Sequence, residues 1–357
     1  MKLYHIVREL ERFAPRQLQE SWDNSGLQIG LPPGCDEVTG VLICLDVTPD
    51  TIAEAVALGC NLVVSHHPLI FRGLKHITGG TPAELAVQAA IASGVAVYSA
   101  HTSLDSTAGG ISQAMAAKLG AEVVDVLSPR NIAYDSLRCV CPPGKATDFA
   151  LALGNIEGAR DVATTPTSII DIADDENGIP VATGKDAVIC SALIPANWTA
   201  HAVRVLADID SSVKVYTESA TSRSDNNTGL GVVAVLRQPV TMAQFTVMLR
   251  DTFGTGAIRC SLEAADSDRM VRRVALCGGS GGEFIGNAIA SGADAYVTAD
   301  IRYHDFADHR DDIALFDIGH FESENCAKDI LMTLICGKFP NFAVHKSKQE
   351  KNPVIYL

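Results

Sequence analysis

Val63-Val64-Ser65-His66-His67-Pro68-Leu69-Ile70-Phe71 decides how the chain is read. The apolar run Leu62 to Val64 predicts a short buried strand. It stops at two adjacent histidines, and Pro68, which lacks a backbone N–H, keeps the ladder from continuing. Two imidazoles are thereby delivered to the carboxyl end of a strand, the edge at which open α/β sheets bind ligands.

The flanking sequence repeats the pattern. Val41 to Leu45 is an apolar strand ending in Asp46. Thr48 then caps a helix with Pro49 at its first position, and Gly59 follows its end. Thr81-Pro82-Ala83-Glu84 reads as a capping box opening a helix to about Ser93, with Gly94 as its C-terminal glycine. Val95 to Ser99 is a third strand, ending in Ala100-His101-Thr102-Ser103-Leu104-Asp105, and a helix with Ile111, Met115 and Leu119 on one face follows. Upstream, Leu3, Ile6, Val7, Leu10 and Phe13 have helical spacing closed by Pro15. The stretch from Trp22 to Gly30 reads as a tight loop. The order β-α-β-α-β-α implies parallel strands with right-handed crossovers, so all carboxyl ends share one edge. Asp46, His66, His67, His101 and Asp105 each lie at or just past such an end.

The pattern changes after Pro129. Strands are expected at Leu137 to Cys141, Ser168 to Asp171, Ala187 to Leu193 and Val213 to Thr217. Helices are expected at Thr147 to Leu153 and Trp198 to Leu206. This β-α-β-β-α-β order suggests a separate ferredoxin-like α+β module, 131–228. An acidic loop, Asp174-Asp175-Glu176-Asn177-Gly178, lies inside it, and the polar run Ser219 to Thr228 reads as the linker out. From Val232 the α/β alternation returns. Thr241-Met242-Ala243-Gln244 is a capping box for a helix to Phe253. Val274 to Cys277 is a strand ending in the turn Gly278-Gly279-Ser280-Gly281-Gly282. Ala295 to Thr298 ends near Asp300, and Ile313 to Asp317 ends in Gly319-His320-Phe321-Glu322-Ser323-Glu324. A long helix carrying Ile330, Leu334 and Ile335 closes the pattern. The expected organisation is thus an α/β fold in two parts, 1–130 and 229–357, around an insertion.

The 357 residues exceed one ordinary domain, and 47% hydrophobic with 20% charged content supports large cores. A formal net charge of −14 argues against a groove for polymeric nucleic acid and against a basic membrane surface. A metal can still reverse the local field for a small anion. No apolar run approaches the ~18 residues of a spanning helix. The chain opens into an amphipathic helix rather than a secretory leader, and its ten cysteines form no C-x-x-C pair, so a cytoplasmic protein with reduced thiols is expected. Cys139-Val140-Cys141 could bind metal, but two core cysteines on a strand explain it more simply.

His320 and Glu324 are four apart at a helix start and share one face. Imidazole with carboxylate suits Zn, Fe, Mn or Ni. Adjacent residues in extended backbone point in opposite directions, so His66 and His67 would each hold a different ion of a pair, with Asp105 or Glu324 as a bridging carboxylate. A single strand-end histidine is ordinarily a hydrogen-bonded structural residue. Tandem histidines, His-x-x-x-Asp and His-x-x-x-Glu at three strand ends together weigh against that. Gly279, Ser280 and Gly281 read either as a tight strand-to-helix turn or as backbone N–H groups for a phosphate. Asp46 serves equally as a helix-side cap or a site residue, and Asp311 with Asp312 as a solvated turn.

Trp22-Asp23-Asn24-Ser25-Gly26-Leu27, Ser65-His66-His67-Pro68, His101-Thr102-Ser103-Leu104-Asp105, Gly278-Gly279-Ser280-Gly281, Thr298-Ala299-Asp300-Ile301-Arg302-Tyr303-His304 and Gly319-His320-Phe321-Glu322-Ser323-Glu324 occur in one order. Together they resemble the dinuclear-metal-centre family named after NGG-interacting factor three, whose bacterial members are often labelled GTP cyclohydrolase type 2 homologues. The resemblance covers the first and last thirds of the chain. It implies two three-layer α/β domains forming one metal-binding core, a toroidal homohexamer, and two divalent ions on His66, His67, Asp105, His320 and Glu324. Longer members carry an inserted PII-like module. The expected function is metal-dependent hydrolysis of a nucleotide or other small phosphate ester, with His101 or His304 carrying the proton. The alternative is a non-enzymatic, metal-dependent binding or scaffold protein that forms a ring.

Overall fold

Strands that are apolar at every position must be covered on both faces. Val41–Cys44 and Leu62–Ser65 are buried at all four positions, and they sit inside a sheet rather than at its edge. The computed structural model describes residues 1–130, 133–156, 158–174, 180–220, 228–261 and 268–356. The chain folds as two compact units, Met1–Arg130 with Asp225–Leu357, and Asn131–Ser224.

In chain order, the first unit begins with α1 (Leu3–Phe13), β1 (Gly26–Ile29), β2 (Val41–Cys44), α2 (Pro49–Ala57), β3 (Leu62–Ser65), α3 (Pro82–Ser93), β4 (Ala96–Ser99), α4 (Thr102–Ser106), α5 (Ile111–Lys118) and β5 (Ala121–Pro129). The second unit holds β6 (Tyr134–Cys141), α6 (Ala146–Gly154), β7 (Arg160–Asp174), β8 (Pro180–Pro195), α7 (Thr199–Ile209) and β9 (Lys214–Ala220). The first unit resumes with β10 (Gly229–Thr241), α8 (Met242–Phe253), β11 (Arg259–Cys260), β12 (Met270–Ser280), α9 (Ile285–Ala290), β13 (Ala295–Ala299), α10 (Tyr303–Asp308), β14 (Ala314–Asp317), α11 (His320–Glu324), α12 (Ala327–Lys338) and β15 (Val344–Lys346).

The first unit contains two sheets. One has the order β1-β4-β3-β2-β15, with β2, β3, β4 and β15 parallel and β1 antiparallel at the edge. The other has the order β11-β14-β13-β12-β10-β5, parallel through β12, β13 and β14. Each sheet takes an edge strand from the far part of the chain: β15 closes the first, and β5 pairs with β10 in the second. Alternation sorts the side chains. Val41, Ile43, Leu62 and Val64 face a shared interior with Val274, Leu276, Val297 and Phe316 of the other sheet, with α1, α5, α8 and α12 contributing Ile6, Leu10, Ile111, Met115, Phe245, Leu331 and Ile335. Leu42, Cys44, Val63 and Val97 turn the other way, onto α2 and α3. Ala275, Cys277, Tyr296 and Leu315 pack outward on α9.

The second unit is a four-stranded antiparallel sheet in the order β7-β8-β6-β9, with Phe149 and Leu153 of α6 and Ala202 and Leu206 of α7 packed on Leu137, Cys139, Cys141, Cys190 and Ile194. Cys139 and Cys141 are buried core residues, as expected. Among the described residues, no helix is long and apolar enough to cross a membrane.

Several expectations need correcting. The Trp22–Gly30 loop becomes strand β1 from Gly26, because its backbone pairs with β4. The glycine run turns later than expected: β12 continues through Gly278, Gly279 and Ser280 with a register shift against β13, and the turn toward α9 begins only at Gly281, where Phe284 N donates to Gly281 O at 3.0 Å. The His101–Asp105 stretch is partly helical, as α4. The β7 strand reaches back to Arg160, since its polar residues are held by backbone pairing with β8 rather than by burial. At α3, Thr81 accepts from Glu84 N as expected, but the Glu84 carboxylate goes to Thr78 N and Gly80 N and not to the Thr81 amide. The box at Thr241 and Gln244 is complete. Most of the acidic loop (175–178) and of the linker run (221–227) lies outside the described residues.

Candidate metal centre

The carboxyl edges of the two sheets supply the site. Beyond β3 the backbone stays tied to β2, with His66 N donating to Cys44 O at 3.1 Å and His67 N to Leu45 O at 2.9 Å. The chain then bends ahead of Pro68. The two imidazoles therefore do not diverge as an extended strand would require; their ring centroids lie 5.0 Å apart, tilted by 46°.

Each histidine is fixed through Nδ1, which leaves Nε2 for the site. His66 Nδ1 donates to the Ala100 carbonyl at 2.8 Å. His67 Nδ1 meets Asp46 Oδ1 at 2.9 Å, His320 Nδ1 meets Asp300 Oδ2 at 2.7 Å, and His101 Nδ1 meets Asp23 Oδ1 at 2.7 Å. A carboxylate or carbonyl on the far ring nitrogen is the usual orienting partner of a metal-ligating histidine. Asp46 thus belongs to the site, and Thr48 alone caps α2.

Glu324 lies at the centre and is 3% exposed. Its Oε2 meets His67 Nε2 at 2.8 Å and His320 Nε2 at 2.9 Å, and its Oε1 faces His66 Nε2 at 3.6 Å. His66 Nε2 also faces Asp105 Oδ1 at 3.9 Å. Both of those atoms are buried without a hydrogen-bond partner among the described residues. Such an unmet atom costs about 1–3 kcal/mol. A cation between them would satisfy both, and this is the observation by which the site fits a metal. Three overlapping groups bring donor atoms within 4.8 Å of one another: His66, Asp105 and Glu324; His67, His320 and Glu324; and His66, His67 and His101.

The electrostatics agree. Burial pushes the Asp105 carboxyl up to about 7 against the pull of His66, and the Glu324 charge adds to the rise. Burial also opposes ionisation of Glu324, but the imidazoles around it hold its carboxyl well below the usual range. Burial would lower His67 and His320, yet their paired carboxylates win and raise them to about 10 and about 11.

The remaining expected residues are distributed unevenly. His101 joins the cluster, its ring 5.3 Å from that of His66 and 5.7 Å from that of His67. His304 does not; it is exposed on α10, with its ring against Tyr303. Gly278 N donates to Ser112 Oγ at 3.4 Å and Gly279 N to Ser323 Oγ at 3.0 Å, so these amides are occupied. Gly279 has φ +64°, and a Cβ there would lie 2.1 Å from Glu324 Oε1. The glycine run lets the strand backbone pass close to the central carboxylate. Beside His67 and His320 opens a cavity of about 430 Å³, lined also by Asp46, Arg259, Asp300 and Tyr356.

A model of the Duf34/NIF3 family (NGG1p interacting factor 3) matches residues 1–353. The chain belongs to that family. Among curated relatives, a "GTP cyclohydrolase 1 type 2 homolog" of Staphylococcus epidermidis is 27% identical, over 100% of both chains. One of Bacillus subtilis is 28% identical, over 99% of this chain and 98% of the relative. Among solved structures, a Bacillus cereus protein related to NIF3 superposes with a TM-score of 0.79 at 27% identity, covering 100% of this chain and 99% of that one. A Staphylococcus aureus protein superposes at 0.72 with 25% identity, covering 100% and 99%.

Sequence reasoning passed over several residues of this Duf34/NIF3 site. The Asp23 side chain is fully buried and accepts from His101, Ser25 Oγ, Thr102 N and Thr102 Oγ1. Burial works against its charge, but these donors hold its carboxyl far below the usual range. Only its place beside Trp22, in a motif without apolar periodicity, could have marked it. Asp300 takes a left-handed backbone, φ 56°, at the end of β13. Such a conformation costs about 1–3 kcal/mol and persists where surroundings demand it. Here it presents the carboxylate to His320.

Proposed function

We propose that the chain is a metal-dependent hydrolase that holds two divalent ions and acts on a nucleotide or another small phosphate ester. One observation carries the reading: the two oxygens of Glu324 face different donor sets, His66 with Asp105 on one side and His67 with His320 on the other. The donors are nitrogen and oxygen, without a cysteine, which suits Zn, Fe, Mn or Ni in hydrolytic rather than electron-transfer chemistry. When bound, two such ions bring the pKa of a water to roughly 7 and offset charge on the attacked group. With Asp23 paired to Nδ1, His101 presents Nε2 to the site, placed to take a proton from an attacking water and return it to the leaving group. Of the candidate phosphate-binding residues Gly279, Ser280 and Gly281, the Gly279 amide is already taken by Ser323 Oγ.

Three wider readings accompany this one. The order β7-β8-β6-β9, antiparallel throughout with two helices on one face, supports a ferredoxin-like, PII-like module. Family membership supports a homohexameric ring, which light scattering on the metal-loaded protein checks. The third is the cytoplasmic location expected from the sequence.

Elemental analysis of reconstituted protein is expected to give two ions per chain. Glu324→Gln should keep the fold and abolish turnover of nucleotides and of a generic phosphodiester, followed by phosphate release and by opening of the guanine ring. Fewer than one ion per chain after reconstitution would end the metal assignment. Inactivity of the fully metallated protein across the panel would leave a metal-dependent binding protein instead.

A further inference from the structure

Two large aromatic side chains stand exposed at the His101 side of the centre. Trp22 is 56% and Phe71 is 44% exposed. Their rings meet edge to face at 5.9 Å, and each lies 6.1 Å from the His101 ring. Aromatic side chains of this size ordinarily bury most of their surface. These two are nevertheless held in place. Asn24 Nδ2 donates to Ile70 O at 2.6 Å and Ile70 N donates to Gln28 Oε1 at 2.7 Å, so the loops bearing Trp22 and Phe71 are tied to each other. Asp23, next to Trp22, is locked by His101, Ser25 and Thr102. An ordered, exposed indole has already lost the freedom that binding would otherwise cost it.

Trp22 also lines a second cavity of about 230 Å³, together with Glu20, Arg130, Glu283 and Phe284. Glu20 and Arg130 form an ion pair there. The cavity therefore offers a carboxylate acceptor and a guanidinium donor beside an aromatic face, which matches a planar ring with both donors and acceptors on its edge. An aliphatic group would leave that edge chemistry unmet.

We propose that Trp22, flanked by Phe71, is the stacking platform for the base of a nucleotide substrate, with the base edge directed toward Glu20 and Arg130. The inference rests on the hydrolytic reading only for the fate of the phosphate end; the stacking itself requires no turnover. It makes Trp22 and Phe71 specificity-determining residues and narrows the substrate from any phosphate ester to one that carries a nucleobase.

The chain has two tryptophans, Trp22 and Trp198, so Trp198→Phe leaves Trp22 as the sole indole reporter. Metal-loaded Trp198→Phe protein, its fold checked by circular dichroism, is titrated with guanosine and adenosine monophosphates, ribose 5-phosphate and inorganic phosphate. Saturable quenching by the nucleotides and none by ribose 5-phosphate is expected. In the otherwise native chain, Trp22→Ala should weaken nucleotide binding in calorimetry by about 5- to 150-fold, the range for loss of one base–aromatic stack. Metal content and ribose 5-phosphate binding should not change, and Trp22→Phe should restore most of the loss. The calorimetry stands alone if Trp198→Phe does not fold. Unchanged nucleotide binding in Trp22→Ala, equal weakening of nucleotide and ribose 5-phosphate, or no saturable nucleotide binding to the native protein would each overturn the proposal. Stacking that persists without any hydrolysis would overturn the hydrolytic reading alone.

Discussion

Glu324 shows why single residues carry so much in this site. One buried carboxylate sits against three imidazoles, of which helical spacing brings only His320 to it; His66 and His67 come from a strand end far away in sequence. In chelator-treated protein, protons take the place of cations, and this has a consequence for stability. Burial works against charge on His67 and His320, but Asp46, Asp300 and Glu324 raise them to about 10 and about 11, from 6.5 in an unfolded chain. A group whose folded pKa is raised stabilises fully below its unfolded value and loses that contribution as pH rises through the folded one. The melting temperature of the metal-free protein is therefore expected to fall between about pH 7 and about pH 10 by scanning calorimetry, beyond what His67→Gln shows over the same range. Metal-loaded protein should behave oppositely at its acid limit, releasing metal as pH falls, because histidine ligands must be neutral. A melting temperature independent of alkaline pH in the chelated protein would contradict the pairing described.

At the level of elements, most strands and helices were legible because their signals are local. Thr48 with Pro49, Thr241 with Gln244, and Gly94 each mark a helix end that the structure keeps. The failures share a cause. Strand β7 and the end of β12 are held by backbone pairing to neighbours distant in sequence, and their own side chains give no alternating pattern. Gly279 in β12 is the sharpest case. Its φ of +64° and the 2.1 Å approach a Cβ would make to Glu324 Oε1 leave room for glycine only. Gly279→Ala is expected to cost about 1–2 kcal/mol for the left-handed backbone alone, read as a lowered denaturant midpoint. It should also displace Glu324 and reduce metal content by at least about 10-fold, the lower end for a disturbed metal-site support. Retention of full metal content would show that the carboxylate can move aside.

For the whole molecule, the junction between the two units makes a defined prediction. Pro129 on β5 pairs with Gly229 on β10, and Arg130 and Thr228 are joined by Arg130 N to Thr228 O at 2.8 Å and Thr228 Oγ1 to Arg130 O at 2.6 Å. The chain thus leaves and re-enters the first unit at adjacent positions of one antiparallel pair. Replacing residues 131–227 by Asn-Gly, which favours a two-residue hairpin turn, should give a folded protein with a single cooperative unfolding transition and unchanged metal stoichiometry. Insoluble product from this and from longer glycine-serine bridges would mean that the second unit is required for the first to fold. The C-terminal segment has no such freedom. Glu350 accepts from Leu45 N at 2.6 Å and Asp46 N at 2.8 Å, and pairs with Lys328, so it closes the end of β2 that leads into the site.

The sequence by itself determined the alternation of strands and helices, the buried character of β2, β3 and β4, and the strand-end placement of His66, His67, His101, Asp105 and His320. These follow from short-range rules: period-two burial, caps, and proline or glycine at element ends. Only the tertiary structure decided that β5 and β15 cross to the other sheet, that Asp23, Asp46 and Asp300 orient the imidazoles, and that Glu324 rather than Asp105 lies between the two donor sets. Those outcomes depend on contacts between residues up to hundreds of positions apart, such as His67 and Glu324 at 2.8 Å. Nothing in the local pattern of either segment encodes the distance between them; it is set by how two sheets pack their carboxyl edges around one buried charge.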